Sequence, residues 1–306
     1  MFSHTSVLLH ETIDALQIRE DGIYVDATAG GGGHSYEIAT RLTTGRLICL
    51  DRDPEAVQAA EQRLRAFQNC QVICSQFSKT AQVLQQLQIK QIDGILFDLG
   101  VSSHQLDTAR RGFSYHTNAP LDMRMGNTGS TAAELVNTLS ADALTDIFYK
   151  YADERFASRI AQAIVHRRAQ QPIQTTAQLA ELVADCYPQR FKRDGHPARK
   201  VFQALRIAVN DELGEITRAI ESVFPILKSG GRIAVITFHS IEDRLVKQQF
   251  AALCRGCTCP PDFPVCVCKN KPQAKQVFKK PVTAGEQEVL ENNRSRSAKL
   301  RVIEKL

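Results

Sequence analysis

The sequence predicts an α/β protein: a parallel, doubly wound sheet interrupted by an all-helical insertion. Three observations carry this. Over the first hundred residues short apolar stretches alternate with amphipathic ones. From about residue 102 to 200 the strand signal stops. It resumes with "GGRIAVITF" at Gly230–Phe238. Apolar strands alternating with helices read as parallel strands covered on both faces.

The elements follow in order. "GIYVDATA" is a first strand that ends at four glycines, Gly30–Gly33, and "SYEIATRL" begins the helix after them. "GRLICLDRD" is a second strand. "PEAVQAAEQRLRAF" is a helix with Pro54 near its start, where the missing N–H costs little. "CQVICSQF" is a third strand, "AQVLQQLQI" a helix and "IDGILFDLG" a fourth strand. In the insertion, Ser140 is placed to cap "SADALTDIFYKYA". Phe156, Ile160 and Ile164 share one face of the next helix. Thr175 and Gln178 are spaced as a capping box, with Leu179, Leu182, Val183 and Cys186 forming the apolar face behind them. "ARKVFQALRIAVNDELGEITRAIESVF" reads as one long amphipathic helix, with Val201, Leu205, Ala208, Ile216, Ile220 and Val223 inward. "SAKLRVIEKL" is the last strand. The expected organisation is residues 1–101 with 201–306 as the α/β domain and 102–200 as the helical insertion.

The chain has 306 residues, with 43% hydrophobic and 23% charged, a globular composition without a membrane-length apolar run. The start lacks a basic n-region, so no signal peptide is expected. Nine cysteines then point to thiols or metal ligands in a reducing cytoplasm. Net charge is +5, yet Lys269–Leu306 alone holds ten Lys/Arg against four Glu. Further basic clusters stand at Arg110–Arg111, Arg167–Arg168, Arg190–Lys192–Arg193 and Arg199–Lys200. A basic tail plus several clusters favours a polyanionic partner.

The glycine run chooses among ligands. A triphosphate loop needs Gly-Lys-Ser/Thr, but His34–Ser35 follows the glycines. A dinucleotide loop needs a third glycine where Ser35 stands, which weakens an NAD(P)-dependent oxidoreductase. Asp51, ending the second strand, suits a ribose in either nucleoside fold. Asp26 before the glycines and Asp98 ending the fourth strand suit S-adenosyl-L-methionine, which carries ammonium and sulfonium charges rather than phosphates.

The ordered set "DATAGGGGHS", "LDRDPEA", "DGILFDLGVSS", "RGFSY", "PLDMRM", "ERFASRIAQAI", "FQALRIAVNDEL", "FHSIEDRLVK" and "RSRSAKLR" resembles the ribosomal RNA small-subunit methyltransferase H (MraW) family, from His4 to the last strand. The resemblance implies a Rossmann-like, S-adenosylmethionine-dependent methyltransferase with an inserted helical domain that recognises RNA. It implies methylation of the exocyclic N4 of a decoding-centre cytosine, cytosine 1402 of 16S rRNA, within the 30S subunit. It also implies a cofactor pocket of Gly32, Gly33, His34, Asp51, Phe77, Asp98 and Gln105.

Three assignments stay open. His239 and Asp98 are candidates to orient the amine or accept its proton, and His239 could equally cap the helix that begins at "SIEDR". The target base could stack on Phe113, Tyr115 or Phe238. In the segment "CRGCTCPPDFPVCVC", Cys257, Cys259, Cys266 and Cys268 are candidate zinc ligands, although Cys-x₂-Cys pairs are the commoner spacing. The alternative there is a reduced, proline-braced loop. The non-enzymatic alternative for the whole chain is an RNA-binding assembly factor with a relic cofactor site.

Overall fold

A computed structural model describes residues 6–188, 196–257, 259, 268 and 270–306. His4, the basic cluster Arg190–Lys192–Arg193, Cys266 and Lys269 lie outside the described residues. The chain divides into two compact units, residues 1–100 with 213–306, and residues 101–212.

The first unit is built on seven strands: β1 (Ile23–Asp26), β2 (Arg46–Asp51), β3 (Cys70–Cys74), β4 (Ile92–Asp98), β5 (Leu227–Thr237), β6 (Ala274–Gln276) and β7 (Lys299–Lys305). They lie in the order β3-β2-β1-β4-β5-β7-β6. Strands β1 to β5 are parallel, and β7 runs antiparallel to both β5 and β6. The expected Rossmann-like α/β class is therefore present, and the short β6, which carries little apolar signal, is an addition to the expected strands.

Successive side chains alternate between faces. Val25, Ile95, Phe97 and Val235 enter one core, and Tyr24, Leu96, Ala234 and Ile236 enter the other. Helices α1 (Leu9–Leu16), α2 (Gly33–Ala39) and α3 (Pro54–Leu64) cover the second face, through Ile13, Ile38 and Ala60 among others. Helix α4 (Thr80–Gln86) covers the first through Val83 and Leu84. Strand order reverses between β1 and β4, and the carboxyl ends flanking such a reversal are where open α/β sheets bind ligands.

The second unit contains α5 (Ser103–Asp107), α6 (Ala132–Thr138), α7 (Ala141–Ala152), α8 (Ala157–Gln170), α9 (Thr176–Cys186) and α10 (Ala198–Asn210). Its own core includes Phe148, Ile160, Ile164, Leu179, Val183 and Leu205. Ser140 accepts from the Ala143 N–H at 3.2 Å, and Thr175 and Gln178 form their capping box. A second box, Thr131 with Glu134, opens α6.

The chain then returns through α11 (Glu212–Val223), α12 (Ser240–Leu253) and α13 (Glu286–Glu291). The long helix expected over 198–224 is two helices. Asp211 takes a left-handed conformation at φ 48°, which ends α10. Val201 and Leu205 consequently serve the second unit's core, Ala208 is half-buried, and Ile216, Ile220 and Val223 serve the first unit's core. One continuous helical period concealed two faces with different partners. The unit boundary accordingly falls after Glu212, not at residue 200. Among the described residues no helix is long and apolar enough to cross a membrane.

Candidate cofactor site at the carboxyl ends of the strands

The turn after β1 requires glycine at two positions. Gly30 sits at φ +53° and Gly32 at φ +76°, both in the left-handed region. A side chain on Gly33 would place its Cβ 1.9 Å from Ser6 Oγ, so the N-terminal segment lies directly against the start of α2. Three strand ends are laced together around this turn. The Gly30 N–H donates to Asp51 Oδ2 and the Asp53 N–H to Asp51 Oδ1, each at 2.9 Å. The Asp98 N–H donates to Thr28 Oγ1 at 2.6 Å. Asp26, fully buried, accepts from Ser35 Oγ at 2.5 Å and from the Thr28 N–H at 3.2 Å. Thr28 and Ser35 are supporting residues that sequence reasoning missed. The only signal was their place beside the glycine run.

His34 does not cap α2, whose N-cap is Gly32 without a side-chain bond. Its ring is buried. Nε2 lies 3.1 Å from the Val7 carbonyl oxygen, so Nε2–H donates there. The other face of the ring turns Nδ1 toward Asp98 Oδ2 at 3.6 Å. The second oxygen of Asp98, Oδ1, is enclosed and has no hydrogen-bond partner.

Electrostatics follow from burial. Loss of water pushes Asp26 and Asp51 up to about 6. It pushes Asp98 well above the carboxylate range, and repulsion from Asp26 and Glu242 adds to this. Three carboxylates are thus gathered where hydration of their charge is reduced, fully at Asp26 and partly at Asp51 and Asp98, and a positively charged ligand would relieve that cost. The donor set fits S-adenosyl-L-methionine. Asp98 Oδ1 is a buried acceptor in need of a donor. Each Asp51 oxygen uses one lone pair on the backbone and keeps another for a ribose hydroxyl. The glycine turn presents backbone without side chains.

The other expected site residues are placed differently. Phe77 opens a single 3₁₀ turn, Phe77–Lys79, and meets Phe97 edge-on at 5.8 Å, half-buried against the core. Gln105 lies in the second unit. Its Oε1 accepts from the Ser102 N–H at 3.1 Å, closing the capping box of α5, and its Nε2 donates to the Met125 carbonyl at 3.4 Å. His239 is the N-cap of α12. Its Nδ1 accepts from the Glu242 N–H at 3.3 Å, and its Nε2 lies 3.0 Å from Glu242 Oε1. Glu242 Oε2 in turn accepts from the N–H groups of Phe238 and His239. Of the aromatic candidates, Phe113 is buried in the second unit's core, and Tyr115 stacks on His196 at 4.6 Å. Phe238 is half-buried at the end of β5, near Gly100.

Comparison with known proteins points to one family. A family model described as the MraW methylase family matches residues 1–306. A "Ribosomal RNA small subunit methyltransferase H" of Clostridium botulinum is 49% identical over 100% of this chain and 99% of its own length. Proteins of the same name from Symbiobacterium thermophilum and Halothermothrix orenii are 52% and 49% identical, each over 100% of this chain and over 97% and 99% of their own. A whole-chain family match, full-length relatives at about half identity and a sheet-end site that fits S-adenosyl-L-methionine lead to one conclusion: the chain belongs to the MraW methylase family.

Proposed function

We propose that the protein methylates the exocyclic N4 of a cytosine in 16S rRNA, at the decoding-centre position 1402, on the assembled 30S subunit in the cytoplasm. The observation that carries this reading is the carboxylate cluster around the glycine turn, with the enclosed oxygen of Asp98 at its centre. The relatives' printed name supplies the class of RNA, and the resemblance of the motifs supplies the base.

When bound, S-adenosyl-L-methionine supplies an activated methyl group on a sulfonium that leaves as a neutral thioether. The rest falls to the chain. The N4 amine is a poor nucleophile because its lone pair is delocalised into the ring, so it must be held in line and relieved of a proton. The Asp98 carboxylate, a quarter exposed, is assigned to accept a hydrogen bond from that amine and then its proton, and its raised proton affinity suits the task. His34 is a positioning residue: anchored on the Val7 carbonyl, its ring packs beside Asp98, with Nδ1 3.6 Å from Oδ2. Gly30, Asp51 and Asp26 keep the turn in shape for the donor. Phe238, only partly buried against the first unit's core, is the aromatic assigned to the base, because Phe113 is buried and Tyr115 already has its face covered.

RNA phosphates would meet the exposed basic side chains. In the first unit Lys279 and Lys280 are exposed next to exposed Phe278, and in the second Arg110, Arg167 and Arg199 are exposed. The second unit is assigned to RNA recognition. Transfer of a labelled methyl group from S-adenosyl-L-methionine to isolated 30S subunits, followed by mapping of the modified base, tests the proposal. Label on N4 of the decoding-centre cytosine is expected. Label elsewhere, or on naked rRNA but not on subunits, contradicts it.

A further inference from the structure

The segment joining α12 to β6 gathers three sulfurs that the methyl-transfer site does not use. The Sγ atoms of Cys257, Cys259 and Cys268 all lie within 4.8 Å of one another. Those of Cys257 and Cys268 are 3.7 Å apart. A disulfide would bring them to about 2.05 Å. Two thiolates at about 2.3 Å from one tetrahedral zinc ion stand roughly 3.8 Å apart. The observed separation matches two ligands sharing an ion; it is also that of the Cys268 thiol donating to Cys257 Sγ, so the third sulfur, Cys259, is what distinguishes a metal cage from a thiol pair.

The backbone holds two of these sulfurs in place. The Cys259 N–H donates to Cys257 Sγ at 3.4 Å, and the Asn270 N–H donates to Cys268 Sγ at 3.5 Å. Both are turns in which the N–H two residues on points at the sulfur and fixes its position. Asn270 Nδ2 also donates to the carbonyls of Arg255 and Gly256, at 3.2 and 2.6 Å, which ties the two turns together. Burial does not account for the convergence, since Cys257 and Cys268 are exposed, whereas a thiol acting as a small hydrophobe goes inside. Cys254 shows the contrast three residues earlier. It packs against the first unit's core, and burial pushes its thiol up.

We propose that Cys257, Cys259 and Cys268 bind a zinc(II) ion that pins the connection between α12 and β6. Soft thiolates select zinc over the oxygen-seeking cations. Each thiol that coordinates gives its proton to solvent, so no redox change is involved. These sulfurs fill three of the four positions of a closed site; Cys266 lies outside the described residues.

The test is metal analysis of the full chain, purified without a His-tag under reducing conditions, followed by chelation and titration of the reduced protein with cobalt(II). About one zinc per chain is expected, as is an intense thiolate-to-cobalt charge-transfer band on titration. Both should be lost in Cys257→Ser/Cys268→Ser and kept in Cys254→Ala. Failure of the reduced wild-type chain to take up cobalt with that band overturns the proposal. So does a band that persists in the double variant. The wild-type titration stands even if a variant fails to fold, and none of these readouts depends on methyl transfer.

Discussion

Two histidines stand near helix starts along the carboxyl edge of the same sheet, and they do opposite things. His239, after β5, is committed to its own helix: both ring nitrogens face Glu242, and Glu242 returns the bonds to the backbone of Phe238 and His239. His34, after β1, caps nothing. It spans from the Val7 carbonyl to Asp98, whose other oxygen is left without a partner. The loop after β5 folds its polar groups onto one another, though His239 Nε2 is buried without a hydrogen-bond partner just as Asp98 Oδ1 is, and the loop after β1 stands where three carboxylates gather. A cluster of carboxylates with depleted hydration therefore marks a ligand site better than a residue type or a single unmet polar atom does.

Substitutions on the two loops can break this contrast. The largest effect is expected from Asp98→Asn, which should lower the rate of methyl transfer by about two to three orders of magnitude. Its thermal stability should not fall, because a desolvated charge is removed. The matching His239→Asn keeps a capping side chain and should leave the rate within a few-fold of wild type. His34→Ala comes next. Loss of the ring that packs beside Asp98 should weaken donor binding or turnover by about tenfold, the scale of one lost hydrogen bond. Gly30→Ala should cost about 1–2 kcal/mol of stability at its positive φ, read by denaturant unfolding. The smallest effect is that of His239→Ala, about 1 kcal/mol of lost capping.

A pH titration sharpens the same contrast. Asp26 and Asp51 carry folded values of about 6, above the ordinary 3.8. The native state therefore holds their protons more tightly than the unfolded chain. Their contribution to stability is fully present below about 3.8 and is lost as pH rises through about 6. A cationic donor reverses the preference by favouring the ionised forms. Its binding should tighten as pH rises through about 6, with proton release seen in calorimetry across buffers, and weaken again above about 8 as its ammonium group deprotonates. Affinity that is flat across this range would show that the carboxylates do not face the ligand's charge.

The strands, the glycine turn, Asp51 and Asp98 were legible because each sits at a position that period and turn chemistry fix locally. Partner choice across the fold was not. Ten basic residues from Lys269 onward read as a polyanion-binding tail, but the fold uses several of them. Arg301 and Lys299 pair with Asp243, Lys275 pairs with Glu304, and Lys305 donates to the carbonyls of Phe224, Pro225 and Leu227. Arg111 and Arg168 likewise donate to carbonyls of the second unit. A charge count cannot separate a lysine that faces solvent from one that closes a helix end. The same limit hid the break at Asp211, since a single residue's left-handed turn leaves the apolar period on either side intact.

The most direct test of the account is single-turnover transfer of a labelled methyl group to 30S subunits by Asp98→Asn and His239→Asn, at saturating donor. The account predicts a loss of about two to three orders of magnitude for Asp98→Asn and a near wild-type rate for His239→Asn. A near wild-type rate for Asp98→Asn, or an equal loss in both, would contradict it.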